Sequence, residues 1–559
     1  ALAPRVWHQG NHAHHHAARE CQGVAGVPQV REDEFGCHVS SQDRADGNDL
    51  SCLAAQKGRP GADAALPRRR FVSPAITHAV ELVTERKAKV ERTHAALQKR
   101  GVEVEVEEDA LKDDGDASEE DERVTSRTQL TKVARRPRQS PFPLIAVEQA
   151  QAKVLSKAVP PTSQTRMAMH ALGYALAEDV YAREPLPPFP ASVKDGYAVL
   201  ATDGRGPRRV IGQSCAGIEP HLREVAPGTC MRVNTGAPVP PGSDAVVQVE
   251  DTKVLLEQED GSEEVEIEIL KAPSEGQDIR PKGSDISLGE LLLTQGQVIG
   301  PAEVGIMASA GVIDVSVHKK PVVAVLSTGN ELQNPSDNPL LEGHIYDSNK
   351  VALLSLLQQH NIPSFDGGIA RDDATALLRA LRRALRKADI LVTSGGVSMG
   401  ERDLLRPVLT TDLKAKIHFA QVFMKPGKPT TFATCTYQRV NPKLIWGLPG
   451  NPVSAIVTAH LYLLPLCRKM SGVSDYHSTI VRAKLSSKLR LDPRPEYHRA
   501  TLSWSSADNL PTAHSTGNQM SSRLMSMAFA QALLQLPPAS KETTSLPAGS
   551  VVEAIVLRL

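Results

Sequence analysis

Three apolar runs constrain this chain more than anything else in it: VVAVLST at 322–328, DILVTSG at 389–395 and KLIWGL at 443–448. Each run is continuous rather than alternating, which suits a strand buried on both faces. The stretches between them, KVALLSLLQQH and ATALLRALRRALRKA, carry apolar residues at helical spacing. This alternation predicts a doubly wound α/β domain over 319–472, with its ligand in the crevice beyond the C-terminal ends of the strands. Every run opens into a polar, glycine-rich loop: STGNEL, SGGVSMGERD and GLPGNPVSA. Gly395, Gly396 and Gly450 let backbone N–H groups approach an anion, while Asn451 and Pro452 fit the N-cap and first turn of the next helix. These loops predict a phosphate or oxyanion site. G-x-G-x-x-G and G-x-x-x-x-G-K-[ST] are both absent from them, which argues against a dinucleotide or Walker-type site.

The same rim carries Glu331 and Asp403, with Asp372 at the end of GGIARDD. Three carboxylates converging there would suit a hard cation such as Mg²⁺, though singly each would serve as a solvated or capping acid. In VFMKPGKPTTFA, Lys425 and Lys428 flank a Pro-Gly turn that fixes their relative direction. Beside glycine loops and acids, an anion-binding role is expected for them.

The other segments read differently. Residues 1–140 hold a His cluster (His12, His14, His15, His16), an acidic block from Glu103 to Glu122 and a basic stretch TKVARRPR, the pattern of a disordered tail. The His cluster has no carboxylate or thiolate partner at ligand spacing. Within the tail, 74–97 reads as one amphipathic helix. Residues 141–182 suggest helices, 185–300 is rich in Gly, Pro and short strands, and 473–559 returns to short strands and turns, a small β domain. The expected architecture is α/β multidomain: a connecting subdomain from 141–185 and 276–318, a β-rich subdomain at 186–275, the α/β domain and a C-terminal β domain.

Composition excludes some classes. With 64 Lys+Arg against 64 Asp+Glu there is no excess of cations for a dedicated nucleic-acid or anionic-membrane binder. Seven cysteines without a C-x-x-C pair support neither a disulfide framework nor a thiolate zinc site. The opening ALAPRVWHQG lacks a secretory apolar stretch, so the expected compartment is the cytoplasm. Residues 444–467 carry no Asp, Glu, Lys or Arg, yet Gly447, Pro449, Gly450 and Pro452 cut them into a strand, a loop and a helix ending near Pro465.

In this order, PLPPFPASVKDGYAV, RVNTGAPVPPGSDAVVQVED, STGNEL, TSGGVSMGERD, MKPGKPTTFA, GLPGNPVSA, DPRPEYHRA and STGNQMSSRLMSM resemble the molybdopterin molybdenumtransferase (MoeA) family. The resemblance covers 141–559 and implies a MogA-like catalytic domain that takes adenylylated molybdopterin and molybdate, releases AMP and yields molybdenum cofactor for molybdoenzymes. It places catalytic roles on Asp195, Thr235, Glu331, Asp372, Asp403 and Lys425, with Glu331, Asp372 and Asp403 on Mg²⁺. Molybdate or pterin phosphate would meet Lys428, Pro429, Ser454, Arg499 and Ser521. It further implies a homodimer in which Asp195 and Thr235 come from the second copy. Animal members carry an N-terminal adenylyltransferase domain, of which only 74–97 resembles a part, its last helix.

Two departures from the family pattern stand out. Gln421 replaces a Lys or Arg, removing a positive charge and predicting weaker anion binding. In animal members that cluster inhibitory receptors, a Phe anchors an apolar groove for a receptor loop. Gln151 stands there here, with Tyr497 and Pro538 kept on the far wall, so receptor-loop or cytoskeletal scaffolding is expected to be weak.

Overall fold

The structure is a computed structural model that describes residues 124–128, 141–217, 223–397, 403–438 and 442–558. The His cluster, the acidic block and the helix expected at 74–97 lie outside these residues.

Why the three apolar runs must lie inside a sheet is visible in how their side chains divide. β1 (Val323–Thr328), β2 (Ser364–Ala370), β3 (Ile390–Ser394), β4 (Lys416–Phe419), β5 (Thr431–Cys435) and β6 (Lys443–Leu448) form one sheet in the order β2-β1-β3-β6-β5-β4. The first four in that order are parallel, and β5 and β4 close the edge antiparallel. In β1, Val323 and Val325 point into a core with Leu353, Trp446 and Leu461, while Ala324 and Leu326 point into a second core with Leu381, Leu385 and Leu405. All four β1 residues are fully buried. The period of two therefore feeds two apolar faces, each covered by helices: α1 (Ser348–Gln359) and α4 (Pro452–Thr458) on one, α2 (Ala374–Lys387) and α3 (Leu405–Thr411) on the other.

The helix beginning with α4 does not stop at Pro465. It passes through a π-helical turn, Ala459–Leu463, and continues to Met470. Pro465 has no N–H to give the carbonyl four residues back, that of Leu461. The Gln151 side-chain amide donates to that carbonyl at 3.3 Å. Gln151 sits on the helix Val147–Leu155, whose buried Val147, Ala150 and Val154 join the core of the α/β domain. The Gln151 amide thus reaches a carbonyl that proline cannot serve.

Before the sheet, Ser163–Met167 pairs with Asp314–His318 and Val180–Tyr181 with Leu291–Leu293, over a core of Leu176, Ile299, Met307 and Val317. Inserted between those halves is a six-stranded sheet running from Ala245–Gln248 at one edge to Thr252–Glu257 at the other. Its entry and exit meet where Leu186 N donates to Ile286 O at 2.8 Å. After the α/β domain, Ile480–Leu485, Thr512–Ser515, Glu496–Ser503, Ala532–Leu536 and Val551–Val556 close a barrel. Among the described residues no helix is long and apolar enough to cross a membrane. Cys215, Cys230, Cys435 and Cys467 are free thiols.

Candidate functional site

The parallel strands end together, so their loops meet. Thr328, Gly329, Glu331, Asp372, Gly395, Gly396, Val397, Asp403, Pro429, Pro449, Gly450 and Asn451 line a cavity of about 370 Å³ at those ends. Asn349, on the first turn of α1, ties two loops together: its side-chain amide donates to Ser394 Oγ and to Gly450 O, both at 2.7 Å. Gly395 has φ +91°, and a Cβ there would lie 2.8 Å from Thr328 O. Only glycine accommodates both the left-handed backbone and this approach. Gly395→Ala is expected to cost about 1–3 kcal/mol and to narrow the cavity, which a chemical melt and a substrate titration on the same sample would check.

Glu331, Asp372 and Asp403 share this cavity, as their spacing in the strand-end loops predicts. Asp372 is braced by Asn330, whose side-chain carbonyl accepts from Asp372 N at 3.0 Å. No three acidic, His or Cys side chains among the described residues converge closely enough to hold a metal ion by themselves. The three are carboxylates in the lining of one cavity, oxygen donors of the kind a hard cation that keeps most of its water would take.

A second cavity of about 420 Å³ adjoins the first, sharing Pro429, Pro449 and Asn451 with it. Its lining brings together Lys425, Lys428, Ser454 and Ser521 from the sequence expectations, and adds Arg494 and Gln519. Acids line one end of the crevice and cations the other. Lys428 is exposed, with no acid at ion-pair distance among the described residues. Lys425 is different. Its Nζ lies 3.2 Å from Asp492 and 3.3 Å from Glu496, and its backbone is stitched to the barrel by Lys425 N to Pro495 O and Tyr497 N to Lys425 O, both 2.8 Å. Glu496 is 3% exposed. Burial alone would push its carboxyl up, but hydrogen bonding to His498 and the charge of Lys425 outweigh it and hold it below the ordinary range. Asp492 is likewise lowered, burial opposing and the Arg494 and Lys425 hydrogen bonds winning.

Some expected groups are not at the crevice surface. Arg499 is fully buried behind it; its guanidinium donates to Met520 O and Ser526 Oγ at 3.1–3.2 Å, fixing the loop that presents Ser521. Burial lowers it to about 10. Asn451 holds the N-cap position without a side-chain cap bond, and one amide of that helix start, Val453 N, is taken by Ser521 O at 3.1 Å. Asp195 and Thr235 line neither cavity. They pair with each other on the β-rich sheet, Thr235 N donating to Asp195 Oδ1 at 2.7 Å, and both are exposed. Gln421 gives its carbonyl to Ile145 N. Arg494 was the cation that spacing alone missed; its signal is the pair of prolines, Pro493 and Pro495, that stiffen the backbone around it.

The chain matches the MoeA N-terminal region (domain I and II) over 145–311, the probable molybdopterin binding domain over 324–469 and the MoeA C-terminal region (domain IV) over 482–557. Gephyrin of Dictyostelium discoideum is 38% identical over 432 residues, 69% of this chain and 58% of that protein, so the chain spans less than two thirds of that relative's length. The molybdenum cofactor synthesis protein cinnamon of Drosophila melanogaster is 33% identical over 505 residues, 89% of this chain and 77% of that one. The molybdopterin molybdenumtransferase of a Nostoc species is 34% identical over 377 residues, 65% of this chain and 83% of the relative. A crystal structure of the molybdopterin biosynthesis MoeA protein from Pyrococcus horikosii superposes with a TM-score of 0.62 at 29% identity, covering 75% of this chain and all of that one.

Proposed function

The chain belongs to the molybdopterin molybdenumtransferase (MoeA) family, and on that premise we propose that it completes molybdenum cofactor by cleaving adenylylated molybdopterin and inserting molybdenum from molybdate. The observation that carries this reading is the continuous crevice with acids at one end and cations at the other. A substrate whose two halves are joined by a phosphoanhydride, reacting with a tetrahedral oxyanion, needs both ends at once.

In the mechanism, the Gly395, Gly396 and Gly450 loops admit the phosphates, and Lys428, Arg494, Ser454 and Ser521 bind oxyanion oxygens by charge and hydrogen bonds. Lys425 contributes a net charge reduced by its two acids, so it serves to orient the turn as well as to attract anions. Glu331, Asp372 and Asp403 would hold Mg²⁺, which when bound spreads the negative charge of the bridging phosphate oxygens. An oxygen nucleophile, water or molybdate, attacks phosphorus, the phosphoanhydride P–O bond breaks and AMP leaves. The carboxylate rim takes up the proton when water is the nucleophile.

Incubating the purified chain with adenylylated molybdopterin and molybdate should release AMP and yield a cofactor that reconstitutes an apo-molybdoenzyme. Absence of AMP under those conditions would remove the proposal. The exposed Asp195–Thr235 pair lies in neither cavity lining, so a role for it in the reaction calls for completion of each crevice by a second copy. Mixing Asp195→Asn and Asp403→Asn chains should then recover about a quarter of parental activity through mixed dimers with one intact site. No recovery on mixing would place the pair's role within a single chain or outside the reaction.

A further inference from the structure

A cavity of about 510 Å³ bordered by several charged side chains lies outside the crevice and shares no residue with either part of it. It lies where the connecting subdomain (Gly173, Ala175, Val298), the α/β domain (Lys320, His360, His460, Arg468) and the barrel (Thr479, Val556) come together. Its charged groups are lopsided. Lys320 and Arg468 face it with His360, His460 and His477, against Asp475 alone.

Neither cation has a close ion-pair partner, although Asp475 supports the charge of Arg468 from a distance. Among the described residues no carboxylate lies within ion-pair distance of Lys320 or Arg468; Lys320 Nζ donates to Asn361 O at 3.0 Å and Arg468 to His477 O at 3.3 Å, both neutral carbonyls. Arg166 adds a third charge, stacked with Lys320 on the Tyr174 ring at 4.5 and 4.2 Å. Holding such groups together costs free energy: burial first, and then repulsion from Arg166, pulls the Lys320 ammonium down to about 8, and burial lowers Arg468 as well. His360 Nε2 is buried without a hydrogen-bond partner. A bound anion would relieve the repulsion. The remaining wall is apolar, formed by Val298, Ile362, Val473 and Val556, with the His360 and His460 rings 6.3 Å apart at its edge. It offers more room than an inorganic ion fills.

The geometry points to a second ligand site, for an organic phosphate: the phosphate between Lys320 and Arg468, and a flat ring body against the apolar wall and the histidines. The site stands independently of the reaction assigned to the crevice.

Calorimetric titration of the full chain with phenyl phosphate, inorganic phosphate and phenol separates the two halves of the ligand. Phenyl phosphate should bind at least about tenfold more tightly than either part alone. Lys320→Met and Arg468→Met should each weaken it by about tenfold or more, while Lys428→Gln in the crevice changes it less than about twofold. Parental affinity in Lys320→Met would overturn the proposal, as would saturable binding abolished by Lys428→Gln, or no saturation at all. Inorganic phosphate binding as tightly as phenyl phosphate would overturn the ring subsite. Because Arg468 also holds His477 O, a poorly folded Arg468→Met, judged by its melt, leaves the decision to Lys320→Met.

Discussion

Lys425→Met is expected to lower the stability of the barrel junction by about 3 kcal/mol and to weaken anion binding at the cationic end of the crevice, where Lys428 and Arg494 remain. Removing the ammonium leaves Glu496, 3% exposed, without its cation, and Asp492 with Arg494 alone. A buried carboxylate stripped of its partner costs far more than the pair contributed when intact. The side chain keeps 28% exposure, which places the figure at the low end of that range. The pH dependence follows from the sign of the Glu496 shift. Its carboxyl is depressed in the folded chain, so its stabilising contribution is present above the ordinary value of 4.5 and is lost as pH falls through the lower folded value. Urea melts from about pH 7 to about pH 3 should show an acid-side loss of stability in the parent that is smaller in Lys425→Met. Equal acid sensitivity in both would mean that Lys425 does not set the ionisation of Glu496.

Asp403→Asn should reduce the rate of AMP release by about 10²–10³-fold with little change in KM. The substitution keeps the size but removes the charge and turns one acceptor oxygen into an NH₂ donor. Asp403 lies two residues before α3 and lines the cavity with Gly395 and Gly396, where phosphate charge would gather. Its charge also supports Arg406, whose guanidinium burial lowers and Asp403 raises. A melt of Asp403→Asn is therefore the companion measurement: a rate loss without a stability loss separates chemistry from packing. A parental rate would take the acidic rim out of the reaction.

What could be read directly from the residues was whatever depended on local period and composition. Continuous apolar runs revealed β1, β3 and β6, and glycines after them revealed the loops, because burial on both faces and close backbone approach leave marks within a few residues. The antiparallel strands β4 and β5 left no such mark, since KIHF and TFATC mix polar residues into their apolar positions. Glu331, Asp372 and Asp403 were legible as strand-end acids. The partners of Lys425 were not: Asp492 and Glu496 lie 67 and 71 positions further on, and only the pairing of the barrel strand with the lysine turn brings them close. The continuation of the helix past Pro465 was equally hidden, because the residue that makes it tolerable, Gln151, lies 310 positions before Leu461. Family motifs placed Arg499 among the anion ligands; its burial behind the Ser521 loop depends on packing that motif position does not encode.

The stitching of the lysine turn to the barrel bears on how the chain is made. Synthesis runs from the N-terminus, and the α/β domain with all three acids emerges before the strand Glu496–Ser503 exists. Until that strand arrives, Lys425 has no carboxylate to hold it and Arg494, Arg499 and Ser521 are still inside the ribosome. A prematurely terminated chain would therefore carry the acidic rim with Lys425 and Lys428, but without Arg494 and Ser521 and with no barrel to hold the lysine turn. The last strands to be translated thus both complete the cationic end of the crevice and fix the lysine turn that was made before them.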